Sequence, residues 1–169
     1  MFSREDLMTR RFIPAAMLAF LAPIPTALGT AATFAQNPAA HCASVGADDR
    51  VRPLPAALVP AARRLFAPGA NEPDAALKAS TVYRCMSGQV WLCNTGANLT
   101  CAKGDVRRES RGATAWCKDH PGSDIVPMVA TGHATIFTWA CVGSEPSITQ
   151  AQKLDARGFI ARQWAPLGR

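Results

Sequence analysis

At 169 residues with a formal net charge of +6, the chain is long enough for about one domain. Its mixed composition carries no repeat, low-complexity tract or long charged tail, which sets aside disordered and fibrous classes. The basic excess is modest and scattered, dense only at Arg63-Arg64 and at Arg107, Arg108 and Arg111, and does not describe a dedicated nucleic-acid surface.

In chain order, Arg4, Arg10 and Arg11 precede an apolar stretch, FIPAAMLAFLAPIPTAL (12–28), and small residues then run to Ala35. Basic, apolar, then small is the order of a secretory signal peptide, with cleavage expected after Ala35. Pro14, Pro23 and Pro25 interrupt the run, which is shorter than the roughly 20 continuous apolar residues of a spanning helix. The expected organisation is a signal peptide over 1–35, an extended lead-in over 36–54 and one disulfide-stabilised domain over 55–169. Removing the leader takes away three Arg and two acids, leaving 15 basic and 10 acidic residues and a net of +5.

QNPAAHCASVGADDRVRPLP (36–55) has no periodicity and reads as extended chain tied down by Cys42. Leu58, Ala61, Ala62, Leu65 and Phe66 then recur at spacings of three and four, one helical face, with Pro60 tolerated in a first turn. The segment 67–80 reads as a loop with one helical turn near Asp74–Ala79. Two β-rich runs, STVYRC and QVWLC, flank Met86-Ser87-Gly88. A three-residue turn with Gly in the left-handed position sets Cys85 opposite Gln89; a two-residue Ser87-Gly88 turn sets Cys85 opposite Val90 and puts Cys85 and Cys93 on opposite faces. Neither register bridges those two cysteines.

The segment 93–106 is turn-rich and fastened at both ends by cysteine. GATAWCKDH (112–120) predicts a short helix capped by Ser110, with Trp116 and Cys117 facing inward. IVPMVA (125–130) turns through Thr131-Gly132-His133 into ATIFTWACV (134–142), where Thr135, Phe137, Trp139 and Cys141 share a face by period two. SITQAQKLD is a weaker strand, and RGFIARQW (157–164) the last. The fold class expected is α+β, β-dominated: a small antiparallel sheet or partly open barrel, with one N-terminal helix and a short inserted helix.

Six cysteines, Cys42, Cys85, Cys93, Cys101, Cys117 and Cys141, an even count behind an export signal, predict disulfides in an oxidising compartment, periplasmic or secreted. The pairings open to the sequence are Cys101 with Cys117, Cys85 or Cys93 with Cys141, and Cys42 as a tether. Structural zinc needs close pairs such as C-x2-C, whereas Cys85, Cys93 and Cys101 recur at intervals of eight, and no C-x-x-C redox motif occurs. No metal or cofactor is therefore expected.

A hydrolase would have to use His41, His120 or His133, the only histidines. His41 lies in the lead-in, His120 at a helix stop where it meets helix carbonyls, and His133 in a Gly-His hairpin turn. Asp48-Asp49, Asp119 and Asp124 are loop neighbours rather than an acid/base pair, and no nucleophile elbow, P-loop or Rossmann glycine pattern is present. Trp91, Trp116 and Trp139 read as core, leaving Trp164 as the aromatic expected to be exposed for contact.

YRCMSGQVWLC (83–93) followed by GHATIFTWACVGSEPSI (132–148) resembles the strand signatures of the bacterial C-type lysozyme inhibitors. The resemblance implies an exported antiparallel β-barrel with a Ser-Gly-Ala-Arg/Lys-Tyr loop that enters the lysozyme cleft. Its nearest counterpart here is Arg111-Gly112-Ala113-Thr114-Ala115, which keeps the Gly and Ala and replaces the other three.

The function expected is that of a non-enzymatic exported domain that binds an envelope or extracellular component through the loops near 94–112 and 143–157. Arg107, Arg108, Arg111 and Trp164 form the candidate binding loop. The alternatives are inhibition of a lysozyme-like hydrolase, and a hydrolase using His120 or His133.

Overall fold

The computed structural model describes residues 37–67, 69, 71–96 and 100–168; the expected leader, 1–35, and its cleavage site lie outside them. Helix α1 (Pro38–Val45) starts the fold, where an extended lead-in was expected. Asn37 caps it, its Oδ1 accepting from the Ala40 amide at 3.1 Å, and Pro38 supplies a preset φ in the first turn. Strand β1 (Asp48–Pro53) follows. A 3-10 turn (Ala56–Leu58) leads into α2 (Val59–Phe66), whose first turn holds Pro60 as expected. Helix α3 (Asp74–Ser80) runs directly into β2 (Thr81–Met86).

Strands β2 and β3 (Gln89–Asn94) pair antiparallel with Cys85 opposite Val90 and Met86 opposite Gln89. The hairpin therefore takes the two-residue turn, with Ser87 and Gly88 both at positive φ, 53° and 73°. That double left-handed turn twists with the strands, and Gly88 donates back to the Gly46 carbonyl at the end of α1, at 2.6 Å. Sheet order is β1-β2-β3-β6, where β6 (Ala165–Pro166) closes the row. A second sheet pairs β4 (Phe137–Val142) with β5 (Glu145–Ala151). Two small antiparallel sheets, neither closed into a barrel, thus replace the single sheet expected, within an α+β fold.

Both faces of the larger sheet are covered. On one, Tyr83, Cys85, Val90 and Leu92 pack against Cys42, Leu54, Leu58 and Leu77. On the other, Cys93 and the half-buried Val82 and Trp91 meet Cys101, Phe159 and Trp164. The smaller sheet packs on α4 (Arg111–Asp119) through Ala113 and Cys117, with Val126, Ile136 and Ile160 completing a third core. Residues 157–164 form no strand: Phe159 and Ile160 make isolated bridges to Lys103 and Leu154, and Ala161–Gln163 is a 3-10 turn.

The bridges are Cys42–Cys85, Cys93–Cys101 and Cys117–Cys141. Cys42 does act as a tether, but Cys101 joins Cys93 rather than Cys117, and Cys141 joins the helical Cys117. The inward face of α4 and the alternation of β4 bring that last pair together, each side chain nearly or wholly buried. Among the described residues no helix is long and apolar enough to cross a membrane. Three disulfides fit an oxidising compartment.

Salt bridges join the sheet to the segments over it. Asp49 pairs with both Lys103 and Arg157, each at 2.7 Å, and hydrogen bonds from Arg157 first and Lys103 second hold its carboxyl down to about 2. A depressed carboxyl contributes stability above its unfolded value, and loses it as pH falls through the folded value. Stability measured by urea unfolding is therefore expected to drop between about pH 4 and about pH 2 from this site. Asp49→Asn should remove that part of the drop, and should match the parent below about pH 2. A variant with an unchanged acid limb would mean that the paired geometry is absent in solution.

Candidate functional site

The polar segment 105–112 lies over the smaller sheet. Asp105 anchors its start: its amide donates to the Ala134 carbonyl at 2.6 Å and its carbonyl accepts from the Ile136 amide at 3.0 Å. Its carboxylate takes the Arg107 guanidinium through Nε and Nη2, and that hydrogen bonding lowers its pKa. Ser110 anchors the other end as the cap of α4, its Oγ accepting from the Ala113 amide at 3.2 Å. Between these anchors Arg108 and Glu109 are exposed, and Arg111 is exposed in the first turn of the helix.

This ridge has a cleft on each side. The first, about 600 Å³, runs between the ridge and the end of α5 (Met128–Thr131), with Asp105, Ala130, Thr131 and Thr135 in its walls. Gly112 sets its depth: a Cβ there would lie 1.8 Å from the Ala130 carbonyl oxygen, so only glycine lets α4 approach α5 this closely. The second cleft, about 560 Å³, runs along α4 past Thr114, Ala115 and Lys118 to Trp139, Glu145 and Pro146. Arg108, Glu109, Ser110 and Arg111 line both.

Of the expected binding residues, Arg107, Arg108 and Arg111 do gather at one place. Arg107 is 82 % exposed but held to Asp105; Arg108 lies over the Phe137 ring at 5.4 Å. No described carboxylate lies within ion-pair distance of Arg108, Arg111 or Lys118. Trp164 does not belong with them. It is 4 % exposed and packs against the Arg84 guanidinium, 4.6 Å from its ring, with Phe159 4.0 Å from the same guanidinium and edge-on to Trp164 at 5.5 Å. The Arg84 side chain that covers it comes from the face of β2 opposite Cys85, and Trp164 and Phe159 close over that face.

Residues 143–157 contribute only Glu145 and Pro146 to the clefts. The contributors missed by the sequence reading, Lys118 and the α5 wall, are separated from the ridge along the chain. The helical spacing of Arg111 and Lys118, seven apart, was the available signal for the first.

The histidines are dispersed. His41 sits in α1, its Nε2 3.9 Å from Asp48. His120 closes α4, its Nδ1 3.1 Å from the Trp116 carbonyl and its ring stacked on Trp116 at 3.9 Å, as its helix-stop position implied. His133 follows the helical turn α5, where a hairpin turn was expected, and borders an apolar hollow of about 500 Å³ with Ile125, Val129 and Phe137. Among the described residues no hydroxyl donates to an imidazole, and no three potential metal ligands cluster. Arg111–Ala115 begins α4 with Ala113 wholly buried, so this stretch is a helical turn and not a projecting loop.

Chemically, the ridge and its clefts offer guanidinium and ammonium donors, two carboxylates without an ion-pair partner among the described residues, and several hydroxyls. Comparison of the chain with family models, curated proteins and solved structures finds no match.

Proposed function

We propose that the protein is an exported, non-enzymatic binding domain, periplasmic or secreted, that engages an anionic envelope component through the Arg108–Arg111 ridge. The observation that carries this reading is the juxtaposition of Arg108, Arg111 and Lys118, without carboxylate partners among the described residues, around two contiguous clefts. Cations with no ion-pair partner among the described residues can meet a ligand without an internal salt bridge being broken first. The helix start adds a favourable partial charge for acidic groups. The disulfides supply rigidity suited to an oxidising compartment.

The reading is tested by adsorption of the purified protein to isolated cell-envelope fractions across a salt series. The parent is expected to bind, with affinity falling as salt rises. The double variant Arg108→Gln/Arg111→Gln, both exposed and outside the cores, should keep its unfolding midpoint and lose about tenfold or more in binding. Equal adsorption by the variant would refute the ridge as the binding surface.

A further inference from the structure

We infer that the two clefts work as one groove for a linear acidic glycan or polyol polymer, a chain carrying hydroxyls along its length and acid groups at intervals. This rests on the binding role proposed above and assigns its ligand class.

Three features of the groove select that chemistry. First, Arg108–Arg111 line both clefts, so the hollows of about 600 and 560 Å³ flank one ridge and an extended chain laid over it reaches into both. Second, the cations are spread out. Arg111 and Lys118 are two turns apart on α4, about 10 Å at 1.5 Å per residue, which matches acid groups spaced along a polymer better than one compact anion.

Third, the acceptors are as telling as the cations. Glu109 and Glu145 line the second cleft with no cation within ion-pair distance among the described residues. An ionised carboxylate only accepts hydrogen bonds, so a polymer of acceptors alone, such as polyphosphate, would meet repulsion there. Sugar hydroxyls donate to those carboxylates while the acid groups meet Arg and Lys.

The test is calorimetric titration of the protein with defined polymers: oligogalacturonate, poly(glycerol phosphate), methyl-esterified oligogalacturonate, polyphosphate and poly-glutamate. Either hydroxyl-bearing acidic chain is expected to bind, and the two arms tell a carboxylate from a phosphodiester. Esterification should weaken binding about tenfold, and Arg111→Gln and Lys118→Gln each by about three- to tenfold. Glu109→Gln decides between the chemistries: it should weaken the glycan if the carboxylate accepts from hydroxyls, and tighten a polymer read by charge alone. Stronger binding of polyphosphate or poly-glutamate than of either hydroxyl-bearing chain, or tightening in Glu109→Gln, overturns the inference. If neither hydroxyl-bearing chain binds while ridge-dependent adsorption to envelope fractions persists, the ligand class is wrong and the binding role stands. Loss of both removes both.

Discussion

Replacing Asp155 with Ala is expected to lower the free energy of unfolding by about 3–5 kcal/mol, measured by urea unfolding with the disulfides intact. Arg84 is wholly buried on β2, and its Nη2 donates to Asp155 Oδ2 across the domain. Its Nε and Nη1 have no partner among the described residues, so this one ion pair, the Met86 sulfur and the faces of Phe159 and Trp164 hold the charge. Burial pulls the Arg84 pKa down, and the Asp155 charge is the largest effect opposing it. Without Asp155, a guanidinium remains in an aromatic cage with no counter-ion, and removing one member of a buried pair costs far more than the pair contributes. Asp155 Oδ1 also accepts from the Arg157 and Phe159 amides, at 2.8 and 3.1 Å, so the loop that presents Phe159 loosens as well.

The converse change should be milder. Arg84→Met keeps an unbranched, apolar stem beside Phe159 and Trp164, where a thioether is well tolerated. Asp155, its side chain 11 % exposed, keeps two backbone donors. About 1–2 kcal/mol is expected for Arg84→Met. The double variant Arg84→Met/Asp155→Ala should be more stable than Asp155→Ala alone, because no stranded charge is left. If Asp155→Ala costs no more than Arg84→Met, the cage does not depend on the ion pair.

Arg84 also shows where the sequence stops being informative. Alternation in STVYRC put Tyr83 and Cys85 on one face, and they do pack together. That the other face is covered too depends on Phe159 and Trp164, more than 70 positions along, and no local pattern encodes their arrival. Local signals fared better where the cause was local: Ser110 caps α4, Pro60 opens α2, and β4 buries Phe137, Trp139 and Cys141. Helix α1 went unread because it buries only Pro38 and Cys42, leaving no apolar stripe, although Asn-Pro followed by Ala-Ala was a start signal. The hairpin register turned on Ser87, a side chain in a left-handed position that glycine usually takes; twist matching outweighed that local cost. At the candidate site, the cluster Arg107–Arg111 was visible as composition, while the clefts beside it require α5 and β5 to be in place.

The Cys42–Cys85 bridge is expected to contribute the most of the three. In the chain-entropy view, a cross-link stabilises by restricting the unfolded chain, and the effect grows with the loop it closes. Sequence separations of 43, 24 and 8 then rank Cys42–Cys85 first at about 4 kcal/mol, Cys117–Cys141 next at about 3.5 and Cys93–Cys101 last at between about 2 and 3. Packing reinforces the order. Helix α1 reaches the core through Cys42 alone apart from Pro38, and Cys42 and Cys85 are 0 % and 1 % exposed among Leu54, Leu77 and Leu92. The variant Cys42→Ala/Cys85→Ala therefore loses both the cross-link and the contact that seats α1. Its amide exchange should rise first at α1 and at Gly88, whose amide is bonded to Gly46, before the core of β2 and β3 opens. Cys93→Ala/Cys101→Ala removes the bridge that closes the shortest loop and should leave those amides protected. A larger loss of urea stability in Cys93→Ala/Cys101→Ala than in Cys42→Ala/Cys85→Ala would show that native packing around each bridge, and not the length of chain it spans, sets the contribution.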